Sequence, residues 1–340
     1  MSKLLKNFVG IDISKLFFDV ALLIADQAGL ILHQQFKQSQ KGFSEMKEWL
    51  KKQGVLLDET TLFCMEYTGI YNITLTKFLC DEKALVWIEM AMRIKKSEGF
   101  ERGSNDKTDA IKIARYACRF KEKMKLWSPT DDSLNKIKHL IAQRDRIVDT
   151  ITRLTVPIDE LKEIGCISEA KQMEKLQKTV INNLKKVKKN IEAAISKIVH
   201  QDKDLTQKVA RVKSIKGIGE VTAIAFLVYT KGFTSFDKGS ELSCYCGVVP
   251  FIKKKSGISV ITKARVSQFA NKKLKTLLHM CALSAIQFDP ELKAYYERKV
   301  LEGKNKMIVM NAVRNKLVLR ICAVIRDDRD FVENYKRKCA

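Results

Sequence analysis

Four carboxylates in the first third of the chain have the residue types and surroundings of a metal site. Asp12 lies within an apolar strand and Glu66 ends one, where an ionised carboxylate is costly to desolvate unless a cation or donor lies beside it. Asp106 and Asp109 are three residues apart at the start of a predicted helix, so both project from one face. Hard oxygen ligands without histidine favour Mg²⁺ or Mn²⁺. We therefore predict that the four side chains share such ions, a pair of which can activate a nucleophile at a phosphodiester.

Helix capping and pairing with the helix dipole are the commoner explanation for Asp106 and Asp109 when these two residues are taken alone. The addition of Asp12 and Glu66 shifts the interpretation toward metal binding. Coordinates can test it, because carboxylates far apart cannot share an ion.

A candidate nucleophile lies in the last third of the chain. Ser256 follows three consecutive lysines and precedes Gly257, a setting that can bind a phosphate and stabilise charge on an attacking oxygen. On the residues alone, an ordinary loop serine is the simpler interpretation, and Ser259 and Ser267 are nearby rivals.

The region around Ser256 is strongly basic. Between Pro250 and Met280 there are eight Lys and Arg residues and no Asp or Glu. The whole chain of 340 residues carries 63 Lys and Arg against 39 Asp and Glu, a net charge of +24, which favours nucleic acid as the partner. We predict that the polyanion contacts Lys253, Lys254, Lys255, Lys263, Arg265, Lys272, Lys273 and Lys275.

The elements that must position the four carboxylates follow an α/β pattern. Three β-rich runs, over residues 7–13, 17–25 and 30–37, predict consecutive antiparallel strands. A helix around residues 43–50, a strand over 61–66, a helix over 75–79, a strand over 84–89 and a helix over 106–120 follow. Three meandering strands and then alternating helices and strands are typical of an RNase H-like fold.

Long amphipathic helices occupy residues 133–200, with a break near Gly165. Their apolar positions follow coiled-coil spacing, which predicts an antiparallel hairpin or an oligomerising stalk. The predicted seam consists of Ile137, Ile141, Val148, Ile151, Ile158 and Leu161, then Met173, Leu176, Val180, Leu184, Val187, Ile191 and Ile198. Lys185, Lys186, Lys188 and Lys189 form either a solvated face or a nucleic-acid contact.

A glycine turn opens the last part of the chain. Gly217 and Gly219 precede an apolar helix over residues 221–227, an arrangement similar to a helix-hairpin-helix that can present backbone N–H groups to a phosphate. A turn between packed helices that binds no ligand is an equally good interpretation.

Composition excludes several other classes of protein. With 46% hydrophobic residues, 4 Pro and 15 Gly, the chain is neither disordered nor fibrous. Its apolar runs are too short to cross a bilayer, and nine scattered cysteines suit reduced thiols, so we expect a cytoplasmic protein. Cys244 and Cys246 form only half of a metal-binding pattern, and buried structural cysteines are the simpler explanation.

Three blocks of the N-terminal part carry a family resemblance. Gly10-Ile11-Asp12, the run from Met65 to Tyr71, and the run from Asn105 to Ala110 resemble the signatures of bacterial insertion-sequence transposases with a DEDD RuvC-like domain. That family includes pilin-gene invertases and bridge-RNA-guided recombinases. The C-terminal part agrees, because residues 215–219, 247–250 and Ser256-Gly257 resemble the transposase domain that follows a coiled-coil insertion there.

The resemblance implies a mechanism and an organisation. Ser256 would be the nucleophile of a DNA recombinase, with Mg²⁺ held by the four carboxylates and a structured guide RNA encoded beside the gene. The implied parts are a RuvC-like domain over residues 1–125, a coiled coil over 126–204 and a mostly α-helical transposase domain over 205–340. The active site would join the first and last parts, either within one subunit or between different subunits of a dimer or tetramer. Ala270 and Lys275 depart from the Gly and Arg usual there, which affects local DNA contacts more than the chemistry.

Two other functions remain open from the sequence. In a hydrolytic nuclease of the RuvC or RNase H type, the carboxylates would activate water and Ser256 would be a bystander. In a non-catalytic nucleic-acid-binding scaffold, the acids would be structural. Transposition and site-specific inversion cannot be separated by these residues, since both need the same strand exchange.

Overall fold

The computed structural model describes residues 5–24, 31–97, 105–127, 131–251, 265–266 and 270–333. It divides into two compact units, Met1–Pro129 and Thr130–Ala340. Each unit is described by itself.

A five-stranded mixed sheet forms the centre of the first unit. Its strands are β1 (Asn7–Ile13), β2 (Phe17–Ile24), β3 (Ile31–Lys37), β4 (Thr61–Glu66) and β5 (Leu85–Glu89), in the spatial order β3-β2-β1-β4-β5. The first three strands pair antiparallel, whereas β4 and β5 run parallel to β1. The helices are α1 (Gln40–Lys52), α2 (Asn72–Asp81), α3 (Ala91–Ser97) and α4 (Asp106–Arg119). The predicted strands are confirmed within the described residues, and the architecture is compatible with an RNase H-like, RuvC-like fold.

The two faces of this sheet differ because side chains alternate along each strand. On one face, Val9, Ile11, Phe63 and Met65 pack into the core with the apolar side of α1. On the other face, apolar side chains of β1, β4 and β5 pack against α3 and α4. By the same alternation, the side chains of Asp12 in β1 and Glu66 in β4 belong to this second face. The sheet therefore directs both toward the side covered by α4.

Gly10 fixes how closely α4 approaches the sheet. A Cβ atom added at Gly10 would lie 2.2 Å from the backbone nitrogen of Ala114 and 2.3 Å from the carbonyl oxygen of Ala110. Only a residue without a side chain allows this contact between backbones. Since Gly10 is two residues from Asp12, the contact also sets the distance between Asp12 and the beginning of α4.

A long helical hairpin begins the second unit. Its helices are α5 (Asp132–Glu163) and α6 (Ile167–Gln201), joined through Gly165, whose φ of 89° favours glycine. Lys162 pairs with Glu174 at 3.2 Å and Arg144 with Glu192 at 2.7 Å, so the two helices run antiparallel. This is the hairpin alternative of the sequence analysis.

The apolar contact of α6 is offset from the predicted seam. Ala170, Ile181, Ile195 and Val199 are the buried residues of α6. Leu176, Val180 and Val187, which the sequence placed in the seam, are exposed by 75%, 53% and 43%. These three residues do not pack against α5 within the hairpin, so the intramolecular part of the predicted seam is wrong for them, whereas the oligomerising alternative stays a prediction.

The remaining elements of the second unit complete one core with the adjoining ends of α5 and α6. They are α7 (Lys203–Lys213), α8 (Glu220–Tyr229), α9 (Gly239–Tyr245), β6 (Pro250–Phe251), β7 (Arg265–Val266), α10 (Lys272–Phe288), α11 (Pro290–Leu301) and α12 (Lys306–Arg326). Ile137 of α5 and Ile195 of α6 belong to the same buried cluster as Phe226 and Leu317.

No helix within the described ranges is both long enough and apolar enough to cross a membrane. The eight cysteines in these ranges are free thiols, and Cys246 is fully buried. Burial raises the pKa of the Cys246 thiol, which disfavours the thiolate that a metal would need. Cys339 lies outside the described residues.

Replacement of Gly10 by Ala should destabilise the first unit by about 1–3 kcal/mol or more, because the added methyl group collides with the backbone of α4. Thermal denaturation followed by circular dichroism measures the loss. Gly219→Ala is the matched control, since a Cβ there meets nothing within 4 Å. Equal melting temperatures for Gly10→Ala and the wild type would contradict the close approach of α4.

Candidate active site

The carboxyl ends of β1 and β4 place Asp12 and Glu66 at one edge of the sheet. Because these strands are parallel neighbours, their ends lie side by side. The beginning of α4 reaches the same edge, and Asp106, Asp109 and Glu66 all raise the pKa of Asp12 through their charges. The structure therefore brings the four predicted carboxylates into one electrostatic environment.

Asp12 is the most perturbed of these four acids. Its pKa is raised from 3.8 to about 6, first by burial and then by the charges of Asp106, Asp109 and Glu66. A hydrogen bond from the backbone of Ile13 acts in the opposite direction. Such crowding of like charges destabilises the ionised site, and a bound cation would relieve it.

Glu66 is influenced by charges of both signs. Burial raises its pKa, the charge of Lys95 lowers it, and the charge of Asp109 raises it. Lys95 lies in the last turn of α3, so its ammonium group lies near the acids at this edge of the sheet.

The capping of α4 uses other residues, although Asp106 and Asp109 lie in its first turn, where carboxylates pair favourably with the helix dipole. Asn105 is the N-cap of α4, and its side chain accepts a hydrogen bond from the Thr108 backbone at 2.8 Å. Thr108 Oγ1 in turn accepts from the Asn105 backbone at 3.0 Å, which completes a capping box. Asp109 forms an ion pair with Lys112 at 3.2 Å.

The four carboxylates fit a divalent cation by their chemistry. All donors are hard oxygens, and their mutual repulsion favours a counter-ion such as Mg²⁺ or Mn²⁺. Within the described residues, however, no group of three or more His, Cys, Asp or Glu side chains is assembled closely enough to hold an ion. The side chains are thus grouped electrostatically but are not preassembled as ligands.

Two further buried acids lie on the same face, and the sequence analysis missed both. Glu89 pairs in register with Glu66 and accepts hydrogen bonds from the Met90 backbone at 2.8 Å and Tyr116 Oη at 3.3 Å. Asp19 pairs in register with Asp12 and contacts His33 and Gln35. Glu89 ends its apolar strand as Glu66 does, so the same signal could have identified it. These hydrogen bonds, together with an ion pair between Arg93 and Glu89 at 3.5 Å, tie the two acids into the fold.

Hydrogen bonds of the Asn72 side chain fix the loop that follows Glu66. Asn72 is buried, its Nδ2 donates to the Glu66 carbonyl at 2.9 Å, and its Oδ1 accepts from the Thr68 backbone at 2.6 Å. The side chains of Tyr67 and Ile70 are nevertheless exposed by 55% and 63%. An ordered loop that presents apolar side chains beside the acids is typical of a binding surface.

Several predicted site residues of the second unit lie outside the described residues. These are Lys253, Lys254, Lys255, Ser256 and Lys263, together with the rival serines Ser259 and Ser267. On either side of residues 252–264, Phe251 pairs with Arg265 and Pro250 with Val266.

The glycine turn has a packing explanation. A Cβ at Gly217 would lie 2.9 Å from the carbonyl oxygen of Cys281 on α10, and the φ of Gly217 is 91°. Gly219 is the N-cap of α8, and a Cβ there would meet nothing within 4 Å. Close packing on α10 thus accounts for the first glycine but not for the second.

The three predicted lysines of α10 have different surroundings. Lys273 pairs with Asp145 of α5 at 2.7 Å. The side chain of Lys275 passes Gly247, where an added Cβ would lie 3.6 Å from its Cδ. Lys272 is exposed in the first turn of α10, next to the N-cap Asn271.

The sheet order, the acids at its edge and the basic composition of the chain are compatible with a nucleic-acid enzyme that has an RNase H-like, RuvC-like fold. Residues 9–161 match a DEDD-type IS110 family described as "Transposase", and residues 209–297 match the "Transposase IS116/IS110/IS902 family". The chain belongs to the IS110-type transposases, enzymes that rearrange DNA.

Similar proteins agree with this family. The chain is 28% identical over 339 residues to a pilin gene-inverting protein of Moraxella bovis, covering 96% of this chain and 98% of that protein. A pilin gene-inverting protein of Moraxella lacunata is 27% identical with the same coverage. An insertion element IS110 protein of Streptomyces coelicolor is 28% identical over 114 residues, 34% of this chain and 28% of that protein.

Replacement of Asp12 by Asn should stabilise the protein at pH 8. Because folding raises the pKa of Asp12 from 3.8 to about 6, its ionised form destabilises the folded state above about pH 6, and this penalty is absent below 3.8. We expect a gain of about 1–2 kcal/mol for this half-buried group at pH 8 and a smaller gain at pH 5.

Thermal denaturation without divalent ions at both pH values tests the Asp12 prediction. Glu45→Gln, on α1, serves as a control that removes a negative charge from an exposed position. Destabilisation by Asp12→Asn at pH 8, or a gain that does not depend on pH, would contradict the raised pKa.

Proposed function

We propose that the protein is a DNA recombinase that cuts and rejoins strands through a covalent bond between Ser256 and a phosphodiester. The observation that carries the proposal is the group of four carboxylates at one sheet edge, in a chain whose other part matches the family's transposase domain. In that family the serine of the Ser-Gly pair is the nucleophile, and Ser256-Gly257 matches it.

The proposed reaction conserves the energy of the phosphodiester. Ser256 Oγ attacks phosphorus, its proton passes to a base, and a new Oγ–P bond forms. The bond from phosphorus to one deoxyribose oxygen breaks, and that oxygen takes up a proton. In the reverse direction the hydroxyl of another strand attacks the phosphoserine, which releases Ser256 and joins the strands. No nucleotide hydrolysis is needed.

Asp12, Glu66, Asp106 and Asp109 are the residues that would hold Mg²⁺ or Mn²⁺. When bound, the metal stabilises negative charge on the phosphodiester oxygens. The raised pKa of Asp12 means that part of this carboxylate is protonated at pH 6, so its ability to bind a cation should fall below that pH.

The proposed substrates are DNA and a structured RNA that guides the enzyme to its targets. The net charge of +24 supports a polyanionic partner, and the RNA is proposed because the chain resembles RNA-guided recombinases. Gly219 and the basic residues from Lys253 to Lys275 are the proposed contacts in the second unit, with Gly217 shaping the turn. Lys273 is the weakest candidate, because Asp145 already pairs with it.

We further propose that α6 mediates oligomerisation as a coiled coil. Leu176, Val180 and Val187 follow heptad spacing on the exposed side of this helix. The double variant Leu176→Glu/Val180→Glu should dissociate a dimer or tetramer in analytical ultracentrifugation. Lys175→Glu/Lys178→Glu on the same helix is the control, and equal masses for all three proteins would contradict the proposal.

The covalent step predicts a protein–DNA adduct that denaturing gels can separate. The full chain is purified with its co-expressed flanking RNA and incubated with Mg²⁺ and DNA that carries the element ends. We expect an adduct with the wild type and with Ser259→Ala, and none with Ser256→Ala. Glu66→Gln should also abolish the adduct, because it removes a charge that the metal requires.

Cleavage without an adduct, unchanged in Ser256→Ala, would contradict the proposal. That result would establish the hydrolytic nuclease, in which the carboxylates activate water. Nucleic-acid binding without cleavage, unchanged in Asp12→Asn, would instead indicate the non-catalytic scaffold.

A further inference from the structure

Arg314 of α12 is a buried guanidinium without a complete set of partners. Only 6% of its surface is exposed. Its Nη2 donates a hydrogen bond to His279 Nδ1 at 2.7 Å, whereas its buried Nε has no hydrogen-bond partner among the described residues. A buried ionised group normally has its donors satisfied and an opposite charge nearby, so Arg314 requires an explanation.

No Asp or Glu side chain in the described part of the second unit neutralises Arg314. Every Asp and Glu between residues 130 and 340 belongs to the described part of the chain, because residues 252–264, 267–269 and 334–340 contain none. Burial alone lowers the pKa of Arg314, and no described carboxylate acts on it. The described carboxylates of the second unit therefore leave this guanidinium without a counter-charge.

His279 does not supply this charge. Burial and the charge of Arg314 lower the pKa of His279, so its ring is neutral near pH 7 and Nδ1 accepts the hydrogen bond from Arg314. The histidine orients the guanidinium and leaves its positive charge uncompensated.

Neighbours of Arg314 on α12 and of His279 on α10 contact the chain that leads into β6. Asn311, one turn earlier on α12, donates a hydrogen bond to the Val248 carbonyl at 2.7 Å. Lys275, one turn before His279 on α10, passes Gly247. These contacts bring donors from α10 and α12 to residues 247–248, just before the basic stretch that begins at β6.

Ser243 provides a further donor from α9. Its buried Oγ has no hydrogen-bond partner among the described residues. Gly239 faces Leu319 and Cys322, and Val248 contacts Asn311, so residues 239–248 run antiparallel to α12. This part of the chain therefore lies along the turn of α12 that contains Arg314 and Asn315, whose buried Oδ1 also has no hydrogen-bond partner among the described residues.

We propose that Arg314, oriented by His279, is a phosphate-binding residue for a phosphodiester at this site, with Ser243 and Lys275 as additional donors. The planar guanidinium suits two oxygens of one phosphate, and the phosphate supplies the missing negative charge. The role assigned to this phosphate rests on the proposed function: it is the group that Ser256 attacks.

Thermal denaturation of the full chain with and without inorganic phosphate tests the anion site. Arg314→Met should melt about 2 °C or more above the wild type without phosphate, because it removes an uncompensated buried charge. Phosphate should raise the melting temperature of the wild type more than that of Arg314→Met. Arg326→Met is the control, since Arg326 lies on the same helix but is exposed and paired with Asp327, and it should keep the wild-type response.

Adduct formation tests the role of the bound phosphate. Arg314→Met should slow the formation of the Ser256 adduct by about 10²–10³-fold, the loss typical of one donor to a reacting oxyanion. Its affinity for DNA should change by less than about tenfold, because one phosphate contact among many is removed. Arg314→Lys keeps the charge without the planar guanidinium. Its phosphate response and its rate of adduct formation should therefore lie between those of Arg314→Met and the wild type.

The outcomes separate this inference from the proposed function. An adduct missing from the wild type would refute the serine mechanism, while the phosphate response would still decide on the anion site. If Arg314→Met does not fold, Arg314→Lys is measured in its place. A phosphate response equal to that of the wild type in the folded variant, whatever its melting temperature, would overturn the assignment and make Arg314 a structural residue.

Discussion

The first unit depends on a contact between two backbones, that of α4 on β1 at Gly10. A single Cβ atom at Gly10 would overlap the backbone of Ala110 and Ala114. The same contact forces Asp106 and Asp109 toward Asp12, so the packing that stabilises the sheet also crowds negative charge at its edge. The acids are therefore costly to the free protein, as is typical of residues retained for function rather than stability.

The second unit shows the opposite imbalance of charge. Its region between Pro250 and Met280 is basic without any acid, and Arg314 is buried without a carboxylate. An excess of negative charge at one edge of the first unit and an excess of positive charge in the second are complementary to the two charged components of a phosphodiester reaction, metal and phosphate. Each unit would gain stability from binding one of them.

Much of the first unit could be predicted from its sequence because local patterns determine it. Alternating apolar residues determine the strands. The unusual position of Asp12 and Glu66 in apolar runs identifies the edge of the sheet at which both acids lie. Glu89 gives the same signal as Glu66 and was overlooked. Its hydrogen bond with Tyr116 could not be predicted, because that contact depends on packing. The apolar residues of α6 span a wider arc than the hairpin buries, and spacing alone does not tell which of them pack against α5. Arg314 has no distinguishing sequence neighbours, and only burial and the absence of a nearby acid reveal it.

The central claim is that Asp12, Glu66, Asp106 and Asp109 act as one cation site, and Mn²⁺ binding tests it most directly. Electron paramagnetic resonance can follow free Mn²⁺ during titration of the full chain at pH 8, beside Asp12→Asn, Glu66→Gln, Asp106→Asn and Asp109→Asn. Glu89→Gln is the control, because Glu89 is buried on the same face with partners of its own. We predict that each of the four variants weakens binding by at least about tenfold and that the control does not. Unchanged Mn²⁺ binding in two or more of the four would contradict a shared site.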